Sequence, residues 1–591
     1  IPQPPVRKCF KDLQAATKRN TSIGYFGWAL DMLHHQSHRP RGQSSLLLFQ
    51  IARLSSLVAC GDVPEAVAFV LTHSVTTALH KKTRAEQLKN EEEGVKPPLR
   101  AIFNGCAFLK SGLRQSTEHP SADRVRLAMT SVQLGLGTKS GPEILAHLAR
   151  SLVEQGYFVS VQDAIKAFHK LCRQSLLDAV NKLWPEANQI FAKYYGRPGV
   201  CVYSYTNANG DQAVRVSLNT QGTRAGCVLG SMGFDIALHV FVYSILVTEF
   251  DDLIMKALTD DLPAFGRPPG PSPTDAQWHD LYDRLADFYE RYDTLANPIG
   301  IVRHIGKGKC FLPPDAPVPC QGSRLLKHTR IVNDGVTASG AHYGTDAAVL
   351  AHGMDKLRTV KTRVDAVLAL AKAGQAHGAI RLLSSSVAHA FDYEIRVTPP
   401  ELIQPVLVLL DTVLRDALLD ILATIKGHGV PVSSSARIDN AISLASLATK
   451  IGGLGLTMPS TKAPISYLCS VLHTKHDPIL GQLKCQKGLS RFVNQAYRTL
   501  LSQLQVNDLS SLQSVTAVLP RTASSMTSLL YSSSNNIFKN NKLKTQKVVM
   551  RLIQLKVRKQ LRQDTHPRHA DGNDLTMEDA VYTHIVTSRS Q

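Results

Sequence analysis

The chain has 591 residues, 43% of them apolar, which is enough to bury several cores and excludes a wholly disordered protein. Lysine and arginine outnumber the acids 67 to 47, and the resulting formal charge of +20 points to a polyanionic partner. No run is expected to span a bilayer and no lipidation signal is present, so nucleic acid is expected as that polyanion and a membrane is not. The ten cysteines contain no C-x-x-C pair, which argues against structural zinc and for a reducing intracellular compartment. Ile1 in place of an initiating Met predicts a fragment or a processed product.

Residues 1–75 read as a helical N-terminal extension, with helices after Ser22, near Leu46–Leu54 and after the turn at Gly61–Glu65. Two apolar segments then bracket a polar loop rich in Glu and Pro. They predict a β-hairpin that presents Lys81 or Lys82 and Arg100 at its loop end. Arg binds phosphate bidentately and Lys binds it as a point charge, so one reading is a phosphate grip and the other is a set of solvated cations.

A glycine-rich loop, Gln133–Glu143, opens a helix over 144–153 and lacks the P-loop pattern. Tyr157–Asp163 reads as a buried strand that ends in an acid. Asp163 is therefore either a metal ligand at a strand end or the N-cap of the helix that follows. Phe168, five residues on, would lie near the same ligand if the chain turns back. Val214–Leu218 alternates like a strand. The glycine-rich segment Gln221–Ser231 then leads into an apolar helix over 232–247, and glycines there allow close approach of a backbone or base pair.

Met255–Phe265 places Asp260 and Asp261 between two short apolar runs, which predicts strand, turn, strand with the acids at the turn. Adjacent acids repel, and a divalent cation would compensate them; a solvated acidic turn is the other reading. Asp251 and Asp252 follow Glu249 in a polar patch and read as a solvated turn. A helix to about 295, a lysine-bearing turn within 300–312 and a hairpin over 334–344 follow.

In this order the segments resemble the motifs of reverse transcriptases, most closely those of non-LTR (LINE-type) retrotransposons, as a fragment of a larger pol polyprotein. Asp163-Ala-Ile-Lys-Ala-Phe-His169 is similar to D-x-x-N-A-F-N, Arg224–Ser231 to Q-G-x-x-L-G-P/S, and Leu258-Thr-Asp-Asp261 to F/Y-x-D-D. Gly306–Cys310 is similar to N-x-x-K-S/T/C, and Gln133–Gly137 with Glu143 to Q-x-G-V-G…G-A-E. Arg396–Pro400 resembles R-x-x-P-P and Gly452–Leu456 resembles G-G-L-G-L. Lys166, His169 and Ala225 depart from the pattern, as do Leu258 and Thr259; all three acids are kept.

The resemblance implies an α+β right-hand polymerase, with fingers and palm over 76–345, a helical thumb and connection over 346–475, and a basic helical C-terminal region with a polar tail over 476–591. It implies RNA-directed DNA polymerase activity in retrotransposition with two Mg²⁺ ions, or Mn²⁺ as substitute, held by Asp163, Asp260 and Asp261. Lys309 would serve the leaving pyrophosphate. Lys81, Lys82, Arg100 and Gly226 would line the dNTP site, and Phe168 would exclude a ribose 2′-OH. Lys356, Arg358, Lys361 and Arg363 crowd one helix that would track template or primer phosphates, with a solvated face as the plain alternative. From Lys539 to Arg562 the chain carries no acid, and Lys547, Arg551 and Arg558 would bind RNA there or form part of a nuclear import signal. Expected partners are an RNA template, a DNA primer or target, dNTPs and the element RNA in a ribonucleoprotein. The expected location is the nucleus, with ribonucleoprotein assembly in the cytoplasm. The alternatives are a catalytically impaired scaffold of the same fold that binds RNA, and a group II intron maturase-like enzyme.

Overall fold

The computed structural model describes residues 2–15, 44–80, 99–206, 209–224, 226–425, 435–449, 453–474, 486–504, 549–550 and 553–554. Lys81, Lys82, Lys547, Arg551 and Arg558 lie outside them. The architecture is α+β. The described strands are β1 (Ser74–His80), β2 (Leu99–Gly105), β3 (Phe158–Val161), β4 (Gly199–Thr206), β5 (Gln212–Asn219), β6 (Ile254–Met255), β7 (Ala264–Gly266), β8 (Lys309–Phe311), β9 (Arg330–Val332), β10 (Gly335–Ala338) and β11 (Ala341–Gly344). The chain forms two compact units. The first holds 1–141, 160–309 and 317–331, and the second holds 142–159, 310–316 and 332–591. The second unit thus includes three short stretches, 142–159, 310–316 and 332–345, from within the span expected for fingers and palm.

In the first unit, β2, β1, β4 and β5 form a four-stranded sheet in that order. The expected hairpin is present: β1 pairs antiparallel with β2, and Leu79 faces Arg100 across the ladder. β5 is the end strand and pairs with β4 alone. Its Val214, Val216 and Leu218 all point to one face, as the period of two requires, and each is more than 60% exposed.

A second sheet has the order β6-β7-β3-β8-β9 and carries the acids. It packs with the long helix Asp275–Ala296, which begins with a complete capping box. Thr274 accepts from the Gln277 amide, and the Gln277 side chain accepts from the Thr274 amide at 2.9 Å. Trp278, Tyr282, Leu285, Phe288, Tyr289 and Tyr292 recur every three or four residues along this helix and are all buried. Each large side chain buried this way contributes roughly 1.5–3 kcal/mol.

The apolar helix over 228–249 corrects one expectation. By length and apolarity it could cross a bilayer, whereas no such run was expected; 67% of its most apolar window is buried within the protein. Leu229, Phe234, Ile236, Leu238, Val242 and Leu246 are core residues here, because the helix runs through a packed unit and apolar side chains occupy every face. Its middle, His239–Tyr243, is a π-helical turn.

In the second unit, Asp346–Lys372 and Pro400–Ala423 are the two longest helices. Val349, Leu357, Val360, Val364 and Val367 repeat at helical spacing and share one apolar cluster with Ile403, Val406, Leu410, Leu414 and Leu418. Thr345 caps the first of these helices by accepting from the Ala348 amide at 3.2 Å. β10 and β11 form the expected hairpin. Two landmark residues of the resemblance meet in this unit: Arg396 donates to the buried Glu143 carboxylate at 2.7 Å. Their role is to close an ion pair that joins the helix Gly141–Val153 to the turn before Pro399.

Candidate active site

β3 delivers Asp163 two residues beyond its end, and the β6–β7 hairpin delivers Asp260 at its turn. Because β7 lies beside β3 in the sheet, the two carboxylates come to one pocket despite their separation in sequence. Phe288, Tyr289 and Tyr292 of the long helix wall the pocket, together with Gln162, Leu262 and Arg303. Asp163 is no N-cap. Its carbonyl accepts from the His304 amide at 2.7 Å, and Ala164 forms an antiparallel bridge with Arg303, so the segment after β3 continues as extended chain.

The turn at Asp260 is tight. Leu258 and Asp261 exchange backbone hydrogen bonds of 2.8 and 3.2 Å. Thr259 between them has φ +58°. A β-branched residue in the left-handed region is an outlier that costs on the order of 1–3 kcal/mol and persists only where its surroundings hold it. The Thr259 hydroxyl also reaches Asp260 Oδ1 at 3.1 Å. Asp261, the third acid expected at the metal, does not line the pocket. Among the described residues no three His, Cys, Asp or Glu side chains cluster closely enough to hold a metal.

The donor set nevertheless fits a hard divalent cation. Mg²⁺ takes one or two carboxylates from the protein and leaves its other positions to water and substrate phosphates. Asp163 also already attracts positive charge, since the Lys307 ammonium lies 2.5 Å from its Oδ2. Lys309, expected to serve the leaving pyrophosphate, is exposed on β8. The short 3-10 turn Ile305–Lys307 places Lys307 at Asp163 instead. Arg303 was also missed. It is 4% exposed, bonds bidentately with Asp293 and lies over the Tyr289 ring at 4.6 Å.

Phe168 does not line the pocket. It is half-buried and stacks on Phe234 at 4.1 Å, with the rings 14° from parallel. Lys166 before it has φ +51°, which turns the chain back after Asp163. Gly226 has φ +96°, and a Cβ there would meet the Phe103 carbonyl oxygen at 2.8 Å, so glycine is required. Gly226 lines a second pocket with Phe103, Lys110 and Arg224. Burial pulls the Lys110 ammonium below its usual range. Arg224 is buried and donates to the carbonyls of Thr72 at 2.9 Å and Tyr194 at 2.5 Å. Arg100 is described by its backbone, which lies in β2.

Of the basic residues on the helix Asp346–Lys372, Lys356 is engaged internally, with bonds to Glu394 and to the Gly340 carbonyl. Arg358 pairs with Asp355 on the surface. Lys361 and Arg363 are exposed. Asp252 pairs with Arg284 at 3.1 Å on the surface, in keeping with a solvated turn.

No family model matches the chain, and no curated protein matches it. Among solved structures, one similar chain is apo telomerase from Candida tropicalis truncated from its C-terminal domain, at 12% identity and a TM-score of 0.29. The match covers 46% of this chain and 54% of that one. Another is telomerase from Candida albicans in complex with the TWJ fragment of telomeric RNA, at 11% identity and a TM-score of 0.33, covering 74% of this chain and 64% of that one. This chain therefore spans between about half and two thirds of those telomerases.

Proposed function

We propose that the chain is an RNA-directed DNA polymerase of a non-LTR retrotransposon, extending a primer 3′-OH with dNTPs on an RNA template. The observation that carries this reading is the convergence of Asp163 and Asp260 on one pocket from two neighbouring strand ends. Asp163 and Asp260 would hold Mg²⁺, or Mn²⁺ in its place, with Asp261 next to them in the same turn. When bound, the metal would supply charge stabilisation for the attacking and departing oxygens of an in-line displacement.

The protein's own residues supply position and shelter. Phe288, Tyr289 and Tyr292 of the long helix wall one side of the pocket and would limit water there. The charge of Arg303 is matched by Asp293, so the net negative charge at the pocket comes from the two acids and is offset by Lys307. Phe168, held flat against Phe234, would limit the space beside the incoming sugar. The exposed Lys361 and Arg363 would contact nucleic-acid phosphates. Nuclear action within a ribonucleoprotein belongs to this reading, as do an RNA template and a DNA target.

Primer extension on an RNA template with dNTPs and Mg²⁺ tests it, with the chain compared against Asp260→Ala/Asp261→Ala. Extension lost in the double variant is the expected result. In the same assay, Phe168→Val is expected to raise ribonucleotide incorporation. A chain that binds RNA in a salt-sensitive way but extends no primer in any form would replace this reading with an RNA-binding scaffold.

A further inference from the structure

The segment Val132–Gly135 runs beside the acidic turn. The Leu134 amide donates to the Ala257 carbonyl at 2.7 Å, the Ala257 amide donates to the Val132 carbonyl at 2.8 Å, and Gln133 and Ala257 form a parallel bridge. Gln133 is fully buried and its carboxamide is used at both ends. Its Oε1 accepts from the amides of Thr259 and Gly135, each at 2.8 Å. Its Nε2 donates to the Thr259 carbonyl at 3.1 Å and to Asp235 Oδ1 at 3.4 Å. The Tyr243 hydroxyl donates to the same Thr259 carbonyl at 2.9 Å. Side chains from two other elements thus hold both backbone polar groups of one residue, and that residue is the one in the left-handed region.

Two further details fit this arrangement. A Cβ on Gly135 would meet the Thr259 nitrogen at 2.7 Å and Gln133 Oε1 at 2.9 Å, so the close approach needs glycine. Asp235 and Tyr243 are eight residues apart, which in an uninterrupted α-helix sets them roughly 80° apart around the axis. The π turn over His239–Tyr243, with its wider i→i+5 bonding, takes up much of that offset, so that Asp235 meets the Gln133 carboxamide while Tyr243 meets the Thr259 carbonyl.

We infer that Gln133, Gly135 and Tyr243 form a clasp that locks Thr259 in its left-handed conformation and thereby sets the direction of the Asp260 carboxylate. They are positioning residues and touch no substrate. The assignment of a role to that carboxylate rests on the polymerase reading; the clasp itself does not.

The test uses the full chain and Gln133→Leu, Tyr243→Phe and Asp163→Ala, each first checked for a cooperative thermal transition. Hydrogen exchange over residues 256–262 and Mn²⁺ binding without substrate, followed by electron paramagnetic resonance, are the two readouts. Gln133→Leu is expected to speed exchange in that segment at least tenfold, with exchange in the helix Asp275–Ala296 unchanged, and to weaken Mn²⁺ binding several-fold. Tyr243→Phe is expected to do both to a smaller extent. Asp163→Ala is expected to abolish Mn²⁺ binding with exchange unaltered. Unchanged exchange in a folded Gln133→Leu chain would overturn the clasp. Faster exchange with unaltered Mn²⁺ affinity would overturn its influence on Asp260. A native chain that binds no Mn²⁺, together with faster exchange in Gln133→Leu, would uphold the clasp and count against the polymerase reading. Should Gln133→Leu fail to fold, Gly135→Ala, which pushes on Thr259 from the same side, takes its place with the same expected outcomes.

Discussion

Asp235 links the stability of the chain to pH. It is fully buried, one of its oxygens has no hydrogen-bond partner, and burial, aided by the nearby Asp260 carboxylate, holds its carboxyl well above the usual carboxylate range. The folded chain therefore keeps this proton at pH values where the unfolded chain has lost it. Its contribution to stability falls as pH rises above about 4, the ordinary aspartate value, towards the raised folded value. Asp235→Asn removes that dependence, so its stability relative to the native chain is expected to improve progressively from pH 4 to pH 8. Urea melts across that range check it; a constant difference would mean that Asp235 is ionised in the fold. The sequence sets Asp235 in the apolar run 232–247 but does not tell what it meets there; only the fold brings it to Gln133 and near Asp260. Asp260 was legible for the opposite reason: two adjacent acids between apolar runs are a local anomaly that needs no tertiary knowledge. Lys307 and Lys309 show where such reading stops. A turn of three residues decides which lysine meets Asp163, and the sequence places both within its reach.

The helix Asp346–Lys372 splits its basic residues between an internal pair and an exposed face. Lys356 faces Glu394, whose side chain is only 4% exposed. Burial pulls that carboxyl up, but His352 and Lys356 outweigh it and the net shift is downward. The pair thus contributes stability that is present above the ordinary carboxylate range and is lost as pH falls through the lowered value. Removing one partner of a fully buried pair costs roughly 3–5 kcal/mol, and since Lys356 is itself about a third exposed, Lys356→Met is expected to cost less, about 1–3 kcal/mol. RNA affinity should change little. Lys361→Gln/Arg363→Gln is expected to do the reverse, leaving stability within about 0.5 kcal/mol and reducing the slope of log affinity against log salt by about 0.7 for each removed charge. Denaturant melts and salt-titrated RNA binding on both variants separate the two roles. The elements themselves were largely readable. The hairpin of β1 and β2, the strand before Asp163, the β6–β7 turn and the hairpin of β10 and β11 all follow from alternation and turn residues. The π turn was not readable, since nothing in His239–Tyr243 marks it locally.

At the scale of the whole chain, a charge of +20 sets the terms of association with polyanions, and salt weakens that association. Composition alone conveyed this much, because net charge is additive and needs no fold. The membrane question could not be settled in the same way. An apolar helix of 22 residues reads alike whether lipid or protein surrounds it, and only the packing around Phe234 and Leu238 decides. The end strand β5 has a different consequence. Among the described residues no strand pairs with its outer edge, and Val214, Val216 and Leu218 are exposed along one face, with Arg215 as the one charge in the strand. Exposed apolar edges of this kind add strands from other chains, and burial of apolar surface, unlike charge pairing, is strengthened by salts such as sulfate. Purification therefore faces opposing demands if a polyanion binds: added salt would weaken that association, whereas a salt such as sulfate would favour self-association through β5. Light scattering is expected to grow with protein concentration and with ammonium sulfate, and Val216→Lys to suppress that growth. The gentlest solvent for this chain is thus one kept low in such salts, so that the bare face of β5 stays in water.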